Sequence, residues 1–171
     1  MRQMTHAVEP PAHSVIAELY DRADLVDAFA ITMTEAIEPD IDQVARAVLG
    51  NPSWWFRALL ACRDVLVAPF GVKTSATLRM EMKATAVPHI DFFPIVRRSA
   101  KEVIIGSDDK HLDFRTSVLL RGNASSGKYE VVVTTVAHSH NRVGQIYLRA
   151  IAPFHRRVAR SSLQRAAAKG W

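Results

Sequence analysis

The chain has 171 residues, 49% of them hydrophobic, which is enough for one buried core and typical of a single domain. Its one cysteine, Cys62, has no partner for a disulfide or a paired-cysteine metal site, which favours a reducing compartment. No apolar stretch approaches the ~18 residues of a membrane span, and residues 1–14 lack the apolar core of a secretory signal. We therefore expect a cytoplasmic protein.

The net charge of +5 is unevenly distributed. Residues 1–70 hold 5 basic and 10 acidic side chains, whereas residues 71–171 hold 17 and 7, and residues 142–171 carry seven basic residues and no acidic one. Such a segment favours a phosphate-bearing surface, but no recognised DNA-binding motif or aromatic platform accompanies it. We expect no nucleic-acid partner and at most weak contact with an anionic membrane. The oligomeric state stays open.

The N-terminal third mixes an irregular segment with one strand and a helix. Residues 1–14 contain two prolines without periodicity, so they predict a flexible or loosely docked arm before a single domain at residues 15–171. The run LVDAFAITM at residues 25–33 predicts a strand. Asp40 and Gln43 resemble a capping box, and Gly50 suits the end of the helix that follows.

A second helix is predicted after Asn51 and Pro52, with Pro69 and Gly71 ending it. It begins with adjacent Trp54, Trp55 and Phe56, which point in different directions on a helix. Core packing is the favoured reading of these rings, and contact with a partner surface is the alternative. Residues 73–89 show no clear period and predict a loop or an irregular strand.

The second half changes to short strands separated by turn-forming residues. The segments FFPIV, EVIIG, HLDFRTSVLLR and KYEVVVTTVAHSH predict an antiparallel meander. From Gly144 onward, Tyr147, Ile151, Phe154 and Val158 recur at intervals of three or four, which predicts a long amphipathic helix.

Three segments carry a resemblance to a known family: IIGSDDKHLDFRTSV, TTVAHSHNRVGQIYL and APFHRRVARSSLQRAA. Together with the order of elements, they resemble DUF2867, a group of mainly bacterial proteins of unknown function, over roughly Asp24 to Ala168. That family looks related to the helix-grip (SRPBCC) superfamily, which includes START-like and Bet v 1-like domains. The resemblance implies an α+β fold in which a curved antiparallel sheet wraps a long C-terminal helix, often around an apolar ligand. It implies a cavity and no reaction, because no catalytic motif carries over.

The long hairpin predicts which side chains share a face. If the loop lies between Arg121 and Lys128, Leu112 stands opposite Ala137 and His111 opposite His138. One face is then apolar. The other carries His111, Asp113, Arg115, Ser117, Glu130, Thr134, His138 and His140, a mixture suited to water contact.

The leading hypothesis is a non-catalytic protein that holds a small hydrophobic or amphipathic ligand between the apolar sheet face and the final helix. Its predicted ligand-binding residues are Phe114, Thr116, Val118, Val133, Thr135, Tyr147, Ile151 and Phe154. Two threonine hydroxyls and one phenol among apolar walls favour a ligand with few polar atoms.

Two alternatives belong to other classes of protein. An enzyme of cyclase or hydrolase type would use the same cavity, but only Thr116, Thr135 and Tyr147 are obvious inward polar candidates. A peripheral interaction protein would dock through its basic C-terminal helix on anionic lipid or an acidic partner.

Metal and cofactor chemistry has weaker support in the sequence. His138 and His140 share one strand face, and His111 with Asp109 or Asp113 nearby could complete a tetrahedral zinc site. Solvated strand residues are the favoured interpretation, so we predict no metal and no cofactor. Asp108, Asp109 and Asp113 have the composition of a tight turn rather than of an acid–base pair. No phosphate-binding or nucleophile motif occurs, so no catalytic residue is predicted.

Overall fold

The computed structural model describes residues 4–34, 38–67, 74–123 and 127–171. Its strands are His6–Ala7 (β1), Leu25–Thr32 (β2), His89–Ile90 (β3), Phe93–Arg98 (β4), Glu102–Asp108 (β5), Leu112–Asn123 (β6) and Lys128–Ser139 (β7). Its α-helices are Ile41–Leu49 (α1), Trp54–Val67 (α2), Ser75–Ala84 (α3) and Arg142–Lys169 (α4), and a 3-10 helix spans Ala17–Arg22. The predicted end of α2 at Pro69 and Gly71 lies outside the described residues.

The described strands form one open antiparallel sheet in the order β1-β2-β7-β6-β5-β4-β3. The predicted strand, two helices, meander and C-terminal helix are confirmed, and so is the α+β class. Within the described part of the chain, no helix has the length and apolar character needed to cross a membrane.

The prediction for residues 73–89 is wrong, because most of them form α3. Thr74 caps this helix, since its side-chain oxygen accepts a hydrogen bond from the backbone N–H of Thr77 at 3.3 Å. The run that follows is rich in residues with high helix propensity, and a good cap is enough to start a helix whose apolar period is weak.

The hairpin register also differs from the prediction. Leu112 stands opposite Ser139 rather than Ala137, and Asp113 rather than His111 stands opposite His138. The ladder continues to Asn123 and Lys128, so the connection is shorter than a loop closed at Arg121. Because the slip is by two residues and side chains alternate with a period of two, each residue keeps its predicted face.

The main core lies between one sheet face and the helices α1 and α4. It includes Phe29, Val118, Val133 and Leu163, each at most 4% exposed. The buried positions of α4 are Gly144, Leu148, Ala159, Ser162, Leu163 and Ala166. The predicted stripe was wrong at Phe154, which is 51% exposed. Small residues form most of the buried side of α4, because they let the helix approach the sheet closely. The prediction rested on large apolar residues and therefore did not include them.

Gly144 is the tightest of these approaches. A Cβ atom at this position would overlap the carbonyl oxygen of His111, at the turn before β6. Asn141 begins α4, and its side-chain oxygen accepts a hydrogen bond from the backbone N–H of Gly144 at 3.0 Å. The start of α4 therefore lies directly against the end of the hairpin at which β6 begins and β7 ends, which we call the hairpin end.

The second face of the sheet was predicted to meet water, and that prediction is wrong for its central part. The N-terminal segment covers it, with Ile16 packed against Ile104 and Val136. Ser117 and Thr134 are 0% and 1% exposed. The pattern of polar residues could not reveal this, because their hydroxyls are buried under a segment distant in the chain.

The N-terminal segment is held by a buried carboxylate. Glu102 accepts hydrogen bonds from the hydroxyls of Ser14 and Ser117, both at 2.5 Å, and from the backbone N–H of Val15 at 3.0 Å. Further along, β1 pairs with β2. Residues 4–14 of the predicted arm thus lie against the sheet.

Candidate functional site

A row of polar side chains crosses the sheet beneath α4. The register places Asp27 of β2 beside Thr135 of β7, and Thr135 beside Thr116 of β6. These positions alternate with those facing the N-terminal segment, so they share the face that carries Phe29 and Val133. The two threonine hydroxyls lie 3.0 Å apart and bond to each other. Asp27 is therefore the one charged member of the row.

The Asp27 carboxylate is buried next to two side chains of α4. Its side chain is 10% exposed, with Oδ1 lying 3.4 Å from His155 Nε2 and Oδ2 lying 3.5 Å from Arg156 Nε. Among the described residues, neither carboxylate oxygen nor His155 Nε2 has a hydrogen-bond partner. Buried polar atoms are nearly always hydrogen-bonded, and leaving one unmet costs about 1–3 kcal/mol. The cluster therefore has unused capacity to donate and accept hydrogen bonds.

A second cation lies one step further along β2. The guanidinium of Arg160 sits over the ring of Phe29, 4.8 Å from its centroid, in a cation–π contact. Arg156 and Arg160 thus both approach the strand that carries Asp27. These cations balance the charge of the Asp27 carboxylate. Its two oxygens, however, have no hydrogen-bond partner among the described residues.

Side chains become less buried from one end of the interface between the sheet and α4 to the other. At the end that contains Val118, Val133 and Leu163, side chains are closely packed. At the other end, Phe114 and Ile151 are half-buried. Since Ile151 precedes His155 by one helical turn, it lies on the same side of α4. We call this less closed part the open end. It contains Asp27, Ile151 and His155, and Phe114 lies on the same sheet face, two residues before Thr116.

The predicted ligand-binding residues divide into four groups. Val118 and Val133 belong to the closed core, and Thr116 and Thr135 lie in the polar row. Phe114, Tyr147 and Ile151 are half-buried, and the ring of Phe114 meets that of Phe93 edge-on at 5.8 Å. Phe154 lies elsewhere. Their part in ligand binding stays a prediction.

Phe154 lines an apolar groove between α2 and α4. The groove has a volume of about 350 Å³ and is lined by Trp54, Trp55, Ala58, Leu59, Cys62, Phe154 and Arg157. Trp54 is 81% exposed, so the favoured reading of that ring as core is wrong. Arg157 is the charged side chain in the lining.

A polar network ties α2 to its neighbours. Asp64 accepts hydrogen bonds from the Ser75 hydroxyl at 2.6 Å and from Arg63 at 2.8 Å, and Arg63 Nε also donates to the Tyr147 hydroxyl at 3.4 Å. Burial alone would raise the pKa of Asp64, but the hydrogen bonds from Ser75 and Arg63 outweigh it and lower that pKa. Tyr147 is thereby directed toward α2.

The histidines proposed as zinc ligands lie at the hairpin end. His140 Nε2 is 2.9 Å from an Asp113 oxygen, and His111 Nδ1 lies within hydrogen-bonding distance of the Asn141 side chain. In the described ranges, no group of three or more His, Cys, Asp or Glu residues is arranged to hold a metal ion.

Sequence reasoning missed Asp27 and His155. A signal for Asp27 was present, because strand alternation puts this acidic residue on the same face as Leu25, Phe29 and Ile31. His155 lies seven residues after the buried Leu148 and four before the buried Ala159, a helical spacing that points toward the sheet. Their pairing depends on how the helix lies across the strand.

The fold and the site define an α+β protein whose open antiparallel sheet is covered by a C-terminal helix, with a polar cluster of incomplete hydrogen bonding between them. The family model described as "Protein of unknown function (DUF2867)" matches residues 19–162, and the chain belongs to this family. No curated protein and no solved structure was found to match the chain.

Proposed function

We propose that the protein binds a small amphipathic ligand at the open end of the interface between sheet and α4, and that its fold is of the helix-grip type, related to START-like and Bet v 1-like domains. The side-chain atoms of Asp27 and His155 that have no hydrogen-bond partner among the described residues carry this proposal. They are polar and buried, and the half-buried Ile151 lies one helical turn from His155. Binding sites typically combine such apolar walls with a few convergent polar groups.

The cluster also restricts which chemical group the polar part of the ligand can carry. A carboxylate oxygen accepts hydrogen bonds, whereas the neutral His155 ring donates from Nε2 when that nitrogen carries the proton. A hydroxyl meets both needs, because it donates to Asp27 and accepts from His155. Phe114 and Ile151 would contact the apolar part. The proposed ligand is therefore an apolar molecule bearing a hydroxyl or a similar group that both donates and accepts.

Native mass spectrometry of protein purified from its own host tests this proposal, because a retained molecule can be weighed directly. We expect one small molecule per chain in wild-type protein, and loss of that molecule in the Asp27→Asn and His155→Leu variants. Asp21→Asn is the matched control, since Asp21 is exposed on the 3-10 helix. Retention by both site variants would overturn the assignment of the site.

The Asp27–His155 pair also favours a second candidate function. A carboxylate beside an imidazole orients the ring, which is the arrangement of a general acid–base catalyst. An enzyme of cyclase or hydrolase type would use this pair on the same ligand. Incubating the released ligand with fresh protein tests this, because hydrolysis changes the mass of the ligand and cyclisation changes its chromatographic retention time, with wild-type protein and not with His155→Leu. A ligand unchanged in both mass and retention time is not a substrate.

A further inference from the structure

We infer that the outer side of α4, together with the start of α2, docks on the surface of an anionic lipid bilayer. The residues concerned are Trp54, Arg142, Ile146, Arg149, Phe154 and Arg157, which we call the basic-aromatic face. The inference is independent of the proposed ligand.

Helical spacing brings four of the five α4 members of this face together, and Phe154 joins them through the groove that it shares with Arg157. Arg142, Ile146, Arg149 and Arg157 follow one another at intervals of three, four or eight residues, which keeps them along one side of the helix. The buried side of α4, with Leu148 and Ala159, points the opposite way. Ile146 and Arg157 thus lie on the side of α4 directed away from the sheet, and Arg149 lies at the edge of that side, near Asp24.

The apolar members of the face are unusually exposed. Trp54 is 81% exposed, Ile146 68% and Phe154 51%. Trp54 and Phe154 line the same groove as Arg157, so an aromatic pair from two helices stands beside a cation. Large apolar side chains gathered on one surface mark an interaction site, and tryptophan in particular favours the level of lipid headgroups.

The positive charge of α4 favours an anionic bilayer as the binding partner of this face. Residues 142–171 contain seven basic side chains and no acidic one, so α4 presents one sign of charge. Arg149 has an acidic neighbour, Asp24, whose low pKa comes mainly from the backbone and hydroxyl hydrogen bonds of Ser139. A basic helix with exposed aromatic and aliphatic side chains has the composition of segments that lie in the membrane interface. The basic stretch alone would attract lipid weakly, and the exposed rings add insertion to that attraction.

Vesicle co-sedimentation tests the inference with full-length protein. The probes are vesicles of phosphatidylcholine alone and vesicles with about one third phosphatidylserine, at about 0.05 M and about 0.5 M NaCl, where screening differs strongly. We expect binding to the anionic vesicles at low salt, and at least roughly tenfold weaker binding at high salt or without phosphatidylserine.

Variants separate docking from simple charge attraction. Trp54→Ala should weaken binding roughly fivefold to tenfold, because an inserted ring is lost. Arg142→Glu with Arg157→Glu should weaken it at least about tenfold. Met80→Ala is the control for the ring, since Met80 is 71% exposed on α3, and Lys169→Glu is the control for charge, roughly 18 Å further along α4 from Arg157. Both controls should bind as wild type does.

Three results would overturn the inference. Wild-type protein that stays in solution with anionic vesicles does not dock on lipid. Its exposed rings would then contact a protein partner or a second copy of the chain. Binding that Trp54→Ala leaves unchanged is charge adsorption alone. Equal losses in the face variants and the controls would show that no particular surface docks. Matching unfolding midpoints for all variants establish that each is folded.

Discussion

His155 Nε2 of α4 lies 3.4 Å from Asp27 Oδ1 of β2, and neither atom has a hydrogen-bond partner among the described residues. This pair joins the C-terminal helix to the second strand across most of the chain. A structural ion pair is expected to complete its hydrogen bonds, because an incomplete buried pair gains little over apolar side chains. The geometry therefore fits a site that is completed by another molecule.

The first prediction concerns the stability of the Asp27→Asn variant. The amide is less costly to bury than the carboxylate, so we expect the free energy of unfolding to stay the same or rise by up to about 1 kcal/mol. Urea unfolding of the ligand-free protein measures it. A loss of more than about 2 kcal/mol would instead identify Asp27 as a structural partner of His155 and Arg156.

The second prediction compares two phenylalanines on the same sheet face. Phe29 is 3% exposed in the closed core, whereas Phe114 is half-buried at the open end. Phe29→Ala should cost about 3–5 kcal/mol, as for a fully buried aromatic, and Phe114→Ala clearly less. Phe114→Ala should in turn change the binding of an apolar fluorescent probe. Equal losses of stability would show that the interface is closed along its whole length.

The third prediction concerns the close approach of α4 to the hairpin end. Gly144→Ala should destabilise the protein by roughly 2–4 kcal/mol, since the new Cβ overlaps the His111 carbonyl and the helix must shift. Gly122→Ala is the matched control, because a Cβ there meets no atom of the described residues within 4 Å. Thermal unfolding of both variants provides the comparison. Tolerance of Gly144→Ala would mean that the helix start can move freely.

The fourth prediction is a pH dependence that arises from Asp64. Its pKa is lowered below the ordinary 3.8, so its charged form stabilises the folded state fully above that value. The stabilisation is lost as the pH falls below 3.8 through the lower folded pKa. Asp64→Asn should therefore unfold more easily at neutral pH, by about 1 kcal/mol, with a difference that shrinks below about pH 4. Denaturant midpoints measured across this range test it, and a difference that is constant with pH would contradict the assignment.

The fifth prediction concerns the attachment of the N-terminal segment through Glu102. Glu102→Gln weakens three hydrogen bonds to a buried carboxylate and should cost about 1–3 kcal/mol. The loosened segment should also be cut faster by trypsin after Arg22, which ends the 3-10 helix. Glu18→Gln is the control, because Glu18 is exposed on that helix. Unchanged cleavage would show that other contacts hold the segment.

Local chemistry in the sequence determined most elements of the fold. Alternating apolar residues predicted the strands and their faces, and the residues around Asp40 and Gly50 predicted the limits of α1. The helix at Ser75–Ala84 was missed because its period is weak and its start depends on a hydroxyl cap at Thr74. The strand pairing slipped by two residues because a period of two cannot distinguish such registers.

The tertiary structure alone decided how these elements meet. Ser117 has the same local sequence signal whether water or the N-terminal segment covers it, and only the distant position of Ile16 buries that face. Phe154 continued the apolar period of α4, yet the side of α4 that is buried consists mostly of small residues such as Gly144, and the ring of Phe154 lies outside it. Asp27 and His155 are 128 positions apart, so no local pattern could pair them. Burial and contact are properties of the assembled surfaces, and they therefore determined the candidate site.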